Sequence, residues 1–234
     1  MKYQDLFIDF DDTLYDTYGN ATIALRETYL FFNLDRYFTD YQVFSDAYWA
    51  ANIDLWKRYS KGEITRDYLI VERFRRPLSA GGEQVPQSAD FCITVSDQFL
   101  AFCSSKSGVV EGAHELMDYL RRRGYRMHMC SNGFHEVQYK KLRACGLHDD
   151  FDTIILSEDA GYNKPAPEFF DYALRQSGAK REATLMIGDN FSTDILGAKR
   201  AGLATAYFNR FPDYPAPEPV DIEVTSLLQL KDYL

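Results

Sequence analysis

From residue 108 onward, short apolar runs alternate with segments of helical periodicity, and that alternation constrains the fold more than anything else in the chain. The stretch 112–123 places Ala113, Leu116, Met117 and Leu120 at i, i+3, i+4 and i+7, which makes one buried helical face. Gly124 stops it, and 125–130 reads as a strand. The cycle then repeats: helices near 136–145, 167–177 and 193–201, and strands at 153–156, 184–187 and 204–208. Leu6-Phe7-Ile8 reads as a further buried strand at the start of the chain. Strands and helices in alternation predict the α/β class, a mostly parallel sheet with helices on both faces. Ligands of such sheets sit beyond the carboxyl ends of the strands.

The informative polar residues fall at those ends: Asp9, Asp11, Ser131 and Asp189. In an extended segment residues i and i+2 share a side. Asp9 and Asp11 therefore emerge together while Phe10 turns back into the core. Two carboxylates crowded at a strand end suggest a divalent cation, a shared proton, or both. Asp189 follows Gly188, where the missing side chain lets the backbone approach closely.

Residues 16–106 break the alternation and read as helical, with candidate helices near 18–32, 40–59, 65–76 and 88–104. The clearest loop is 77–86, which contains Gly81-Gly82. This divides the chain into a core of 1–16 and 107–234 and a helical insertion of 17–106. A run with four prolines at 212–219 reads as an extended connection before a short strand and a terminal helix at 227–234. The net charge of −9 argues against a nucleic-acid polymer or an anionic membrane as partner. Cys92, Cys103, Cys130 and Cys145 form no CxxC pair and read as reduced thiols. No apolar stretch approaches the ~20 residues of a membrane span, so a soluble, cytoplasmic protein is expected. Nothing in the sequence signals an oligomeric state.

Four motifs stand in order at the predicted strand ends: Asp9-Phe10-Asp11-Asp12-Thr13-Leu14, Ser131-Asn132-Gly133, Lys164-Pro165, and Gly188-Asp189 through Asp194. Through them the chain resembles the haloacid dehalogenase-like hydrolase superfamily over essentially its whole length. The resemblance implies a Rossmann-like core with an all-helical cap inserted after the first motif. It implies Asp9 as a nucleophile that forms an aspartyl phosphate, later opened by water. Asp11 would protonate the leaving alkoxide and then take a proton from that water. Mg²⁺ would be held by Asp9, the Asp11 carbonyl and Asp189. Ser131, the backbone N–H groups of Asn132 and Gly133, and Lys164 would take the phosphoryl oxygens. Thr13 would hold the loop, and Asp12 would serve the turn. Asp194 is left as an outer ligand, a partner for Lys164, or a first-turn helix acid.

Within the phosphatases, Leu55-Trp56 through Gly62-Glu63-Ile64-Thr65, together with Phe134 after the Ser131 loop, resemble the pyrimidine 5′-nucleotidase branch. The expected substrate is a small phosphomonoester, a nucleoside 5′-monophosphate with a pyrimidine preferred, under a cap that closes over it. Sugar phosphates or phosphoglycolate with the same machinery stay open as alternatives, and after them a phosphomutase or an idle binding protein. Asp11 argues against dehalogenation, since a departing halide needs no proton. Most of the aromatic residues of the insertion are expected in its core, and His135 is expected as an exposed loop residue.

Overall fold

The structure, a computed structural model, describes residues 2–211 and 216–234. The chain divides into two compact units, one of Met1–Thr17 with Ser107–Leu234 and one of Tyr18–Lys106. Part of the proline-rich 212–219 connection lies outside the described residues.

In chain order the described elements begin with β1 (Asp5–Ile8), α1 (Thr17–Phe31), α2 (Tyr41–Ser60), α3 (Arg66–Ser79) and α4 (Ala89–Ser104). They continue with α5 (Ala113–Arg123), β2 (Arg126–Ser131), α6 (His135–Ala144), β3 (Thr153–Leu156), a single turn α7 (Ser157–Ala160) and α8 (Pro167–Ser177). The last are β4 (Thr184–Gly188), α9 (Leu196–Arg200), β5 (Ala204–Phe208) and β6 (Ile222–Val224).

In the first unit the sheet runs β3-β2-β1-β4-β5-β6, every pairing parallel. β1 lies in the middle, with β2 on one side and β4 on the other. The strand order reverses there, which is where open α/β sheets form a ligand crevice. Register brings the two motif strands level: Ile8 sits opposite Ile187, and the Asp9 N–H donates to the Ile187 carbonyl at 2.9 Å.

Both faces of the sheet are covered. Leu6, Ile8, Met127, Met129, Leu185 and Ile187 pack on one side with Leu116, Met117 and Leu120 of α5. Phe7, Cys130, Ile155 and Met186 pack on the other with Phe169, Phe170 and Ala173 of α8. Successive strand residues thus alternate between two apolar layers, so the strands read as unbroken apolar runs. Each large side chain buried this way contributes about 1.5–3 kcal/mol, which makes the strand ends a stiff platform. At the opposite end of the strands, buried Asp5 accepts from Arg126 at 2.7 Å and pairs with His128 Nε2 at 3.0 Å, away from the motifs.

The second unit holds α2, α3 and α4 with most of α1 around a core of Leu25, Phe44, Tyr48, Phe74, Leu78, Val95 and Phe99. Tyr48, Phe74 and Phe99 meet in pairs with ring centroids 5.3–5.4 Å apart. Local chemistry sets the helix starts. The side chains of Asp40, Thr65 and Ser88 accept the N–H groups of Gln42, Tyr68 and Phe91. Of the aromatic residues expected inside, Phe38, Tyr48 and Tyr59 are buried, whereas Phe31 is 57% exposed.

Three local expectations are corrected. The 77–86 loop starts later, because α3 continues through Pro77 to Ser79. Pro77 falls in the last turn, where one lost N–H bond is offset by the burial of Leu78 in the unit's core. The helix expected near 193–201 is a π-helical turn, Phe191–Ile195, running into the short α9. The expected terminal helix is a 3₁₀ segment, Leu227–Asp232, started by a capping box of Ser226 and Gln229. All four cysteines are free and buried. No described helix is long and apolar enough to cross a membrane.

Candidate active site

The chain turns sharply after β1. Phe10 is fully buried and stacks on Tyr15 with centroids 5.4 Å apart. The N–H groups of Leu14 and Tyr15 return to the Phe10 carbonyl, and the Asp12 N–H goes to the Tyr15 carbonyl. Asp12 takes the left-handed conformation at φ 63°, which an aspartate tolerates better than most residues. Arg210, just beyond β5, clamps this turn, with Nη1 2.6 Å from Asp12 Oδ1 and 3.2 Å from the Asp12 carbonyl.

Thr13 joins the two central strands chemically. Its hydroxyl accepts the Asp189 N–H at 3.0 Å and lies 3.0 Å from Asp9 Oδ2 and 3.2 Å from Asp189 Oδ1. Asp189 is free of capping duty, because the Asn190 side chain accepts the N–H groups of Ser192 and Thr193. Asp194 is fully buried and folds back, with Oδ2 accepting the Asn190 N–H at 3.1 Å. Gly188 makes room for it. A Cβ on Gly188 would stand 2.7 Å from Asp194 Cβ, closer than van der Waals contact permits. Gly188→Ala is therefore expected to displace Asp194, destabilise the fold by about 1–3 kcal/mol and cut turnover at least tenfold. Thermal melting and a steady-state assay check this.

Lys164 reaches in from the loop after α7. Its ammonium is buried and lies 2.6 Å from Asp9 Oδ1, 2.8 Å from Asp194 Oδ1 and 2.7 Å from the Cys130 carbonyl, using all three of its protons. The Asn132 side chain grips the Lys164 backbone in both directions, each bond 2.8 Å. Asn132 thus fixes Lys164 in place, and the Gly133 N–H is spent on Ser131 Oγ at 3.0 Å.

Asp11 leaves the same turn as Asp9 but finds different partners. Its Oδ1 accepts from Lys141 Nζ at 2.5 Å and Thr17 Oγ1 at 2.6 Å. Its Oδ2 accepts from Gln138 Nε2 and, at 3.4 Å, from Ser131 Oγ. Gln138 also donates to Ser131 Oγ at 2.8 Å. The sequence reading passed over Thr17, Gln138, Lys141 and Arg210. A signal for two of them was present. Gln138 and Lys141 lie three residues apart on the face of α6 that buries Val137 and Leu142, and polar residues at core-facing positions ask for a reason. His135 is exposed at the start of α6, its N–H donating to Glu158 at 2.6 Å.

Charge is unevenly matched across these groups. Asp11 has Lys141 and Asp12 has Arg210. The carboxylate oxygens of Asp9, Asp189 and Asp194 lie within 4.8 Å of one another, and among the described residues Lys164 is the cation paired with this group, through Asp9 and Asp194. Fully ionised, three carboxylates on one ammonium would leave two negative charges unmatched. Burial pushes the Asp9 carboxyl up to about 7 against the pull of Lys164. Burial, then Asp9, Asp194 and Asp12, push Asp189 well above the ordinary carboxylate range. Asp194 and Asp9 hold the Lys164 ammonium above the usual lysine range despite its burial. Burial also disfavours ionised Asp11, but Lys141, Thr17 and Gln138 outweigh it and hold that carboxyl below its usual range. A largely buried all-oxygen cluster that resists ionisation for want of a second positive charge suits a hard divalent cation.

Comparison with known proteins gives this arrangement a lineage. The haloacid dehalogenase-like hydrolase profile matches residues 6–202. YfnB of Bacillus subtilis, named a putative HAD-hydrolase, is 31% identical over 99% of this chain and 94% of its own. The crystal structure of YfnB, described as bound to magnesium and as revealing interdomain movement, matches with a TM-score of 0.86 over 100% of this chain and 99% of its own, at 29% identity. YjjG of Escherichia coli, named a pyrimidine 5′-nucleotidase, is 33% identical over 89% of this chain and 87% of its own. PynA of Streptococcus pneumoniae, also named a pyrimidine 5′-nucleotidase, is 30% identical over 89% of this chain and 85% of its own. With a matching profile that runs from β1 through β4 and takes in all four motifs, the chain belongs to the haloacid dehalogenase-like hydrolases.

Proposed function

We propose that this hydrolase is a Mg²⁺-dependent phosphomonoesterase that acts on nucleoside 5′-monophosphates, pyrimidines preferred. The observation that carries the reading is the convergence of Asp9, Asp189, Asp194 and Lys164 around one point beyond β1 and β4. Asp9 is the nucleophile: a carboxylate oxygen bonds to phosphorus as the bond to the leaving alkoxide breaks, giving an aspartyl phosphate. Asp11 supplies the proton that the alkoxide needs and takes one back from the water that opens the intermediate. Ser131 donates to a phosphoryl oxygen, and Lys164, whose protons go to Asp9, Asp194 and the Cys130 carbonyl, sets a positive charge beside the phosphoryl group. Asp9, Asp189 and the Asp11 carbonyl hold Mg²⁺, which neutralises phosphoryl charge when bound. Thr13 keeps Asp9 and Asp189 at their spacing, and Asp194 keeps Lys164 on Asp9. The helical insertion, which follows the nucleophile's turn directly in the chain, acts as the cap that selects the leaving group.

The pyrimidine preference is supported by the likeness to YjjG and PynA, each named a pyrimidine 5′-nucleotidase, and by the resemblance of 55–65 and Phe134 to that branch. Phosphate release from a panel of pyrimidine and purine monophosphates, sugar phosphates and phosphoglycolate, each with and without Mg²⁺, tests it. The expected result is at least tenfold higher kcat/KM on UMP or dTMP than on AMP or the sugar phosphates. A sugar phosphate as best substrate transfers the same chemistry to a different leaving group. No release from any member removes the reading.

A further inference from the structure

Lys141 is a costly residue where it stands. It is 6% exposed on the apolar face of α6, with its ammonium 5.0 Å from the centre of the Tyr15 ring. A buried ion pair rarely beats a well-packed apolar pair for stability, since the desolvation of both charges offsets their attraction. A leucine or methionine would serve α6 as well if packing were the only demand. Lys141 pairs instead with the carboxyl that the proposed reaction uses as its acid.

Asp11 is held at both oxygens. Lys141 and Thr17 donate to Oδ1, and Gln138 and Ser131 to Oδ2. Thr17 begins α1, and Ser131 ends β2, so both come from the ends of regular elements. Gln138 is tied to the Ser131 loop, and a Cβ on Gly133 would overlap its amide. Lys141 is the partner with reach to spare, a three-donor group on a flexible four-carbon stem.

We propose that Lys141 is a positioning residue for proton transfer to the leaving group. It orients the Asp11 carboxyl and provides the countercharge for the carboxylate that remains once the proton has gone to the alkoxide. This rests on the phosphomonoesterase reading with Asp11 as the acid. Lys141 favours the ionised carboxylate, so Asp11 takes up a proton from solvent as substrate binds; as the phosphorus–alkoxide bond breaks, its electron pair stays on oxygen and takes that proton. The alcohol leaves, and Asp11 is left ionised against Lys141.

Leaving groups that differ in their need for a proton supply the test. An alkyl phosphate such as UMP needs one, whereas p-nitrophenyl phosphate leaves as a stable phenolate. The readout is kcat/KM, which covers the steps up to phosphoenzyme formation and excludes its hydrolysis. Lys141→Met is expected to lower kcat/KM on UMP at least tenfold more than on p-nitrophenyl phosphate, and Lys141→Arg to keep the ratio of the two within about threefold of the unaltered enzyme. These bounds are modest against the ~10²–10⁴ that a positioned acid supplies. Should Lys141→Met not fold, Lys141→Gln carries the same expectation. Equal losses on both substrates, or no loss on UMP, would make the contact a structural ion pair and overturn the proposal. If the unaltered enzyme hydrolyses neither substrate, the phosphomonoesterase reading itself falls. If it hydrolyses both and the ratio does not move with Lys141, only the positioning role falls.

Discussion

Asp9→Asn is expected to reduce turnover by about 10⁴-fold or more, the scale on which covalent enzymes lose activity with their nucleophile, while the protein stays folded. An amide of the same shape still accepts from Lys164 through its oxygen and turns its NH₂ to the Thr13 hydroxyl as a donor, but cannot attack phosphorus. The fold has little reason to suffer. Asp9 sits at the end of a strand anchored by Leu6, Phe7 and Ile8, each fully buried, and Lys164 keeps its bond to Asp194. One carboxylate fewer also removes a charge that, after burial, raises Asp189. A phosphate-release assay alongside a melting curve reads both halves, and activity within tenfold of the unaltered enzyme would remove Asp9 as nucleophile.

Asp189→Asn should separate stability from function in opposite directions. The linkage sign is fixed by the raised carboxyl. A group whose pKa is higher folded than unfolded binds more protons in the native state, so its contribution is full below the unfolded value and is lost as pH rises through the folded one. For Asp9 that window runs from about 3.9 in the unfolded chain through about 7 in the folded protein, and Asp189 shifts in the same direction. At pH 8 without metal, the two carboxylates therefore oppose folding. The asparagine is expected to raise the metal-free Tm by about 2–4 °C, equivalent to about 1 kcal/mol for a chain of this size. It should also abolish the Tm increase that millimolar Mg²⁺ gives the unaltered protein and lower turnover at least a hundredfold. Because Mg²⁺ displaces protons from these carboxyls, its stabilisation of the unaltered protein should be larger at pH 8 than at pH 6. Differential scanning calorimetry at the two pH values, with and without Mg²⁺, measures all of this. A metal-free Tm that drops in Asp189→Asn would mean that the cluster is not electrostatically overloaded.

Much of the fold was legible because local chemistry and packing agreed. The run 153–156 and the stretch 167–177 coincide with β3 and α8, since periodicity, the Pro167 start and the Gly178 stop all point one way. Asp40, Thr65 and Ser88 marked helix starts before any packing was known. Where tertiary burial overrode local signals, the reading slipped. Pro77 reads as a terminator but lies inside α3, because Leu78 beyond it is drawn into the core. The π turn at 191–195 follows from Asp194 turning inward to Lys164, which no periodicity within the segment announces.

The site divides in the same way. Asp9 and Asp189 were legible as neighbours because each ends an apolar strand of a parallel sheet, and the Asn190 side chain, not Asp189, caps the turn that follows. The partners of Asp11 were not legible. They depend on how α6 is rotated about its axis, a property fixed by Val137 and Leu142 packing against the rest of the unit and not by any motif. Arg210 was hidden for a similar reason: it follows β5 and meets Asp12 across 198 positions of sequence.

Chemical trapping of the covalent intermediate offers the sharpest test. Enzyme mixed with UMP and Mg²⁺, quenched during turnover and reduced with borohydride, should yield a peptide in which Asp9 alone has become homoserine, since hydride reduces an acyl phosphate and spares a free carboxylate. The conversion should be absent without substrate and absent in Asp9→Asn. Steady hydrolysis with Asp9 unmodified, or reduction at a different carboxyl group, would contradict the assignment of this aspartate as the phosphoryl acceptor.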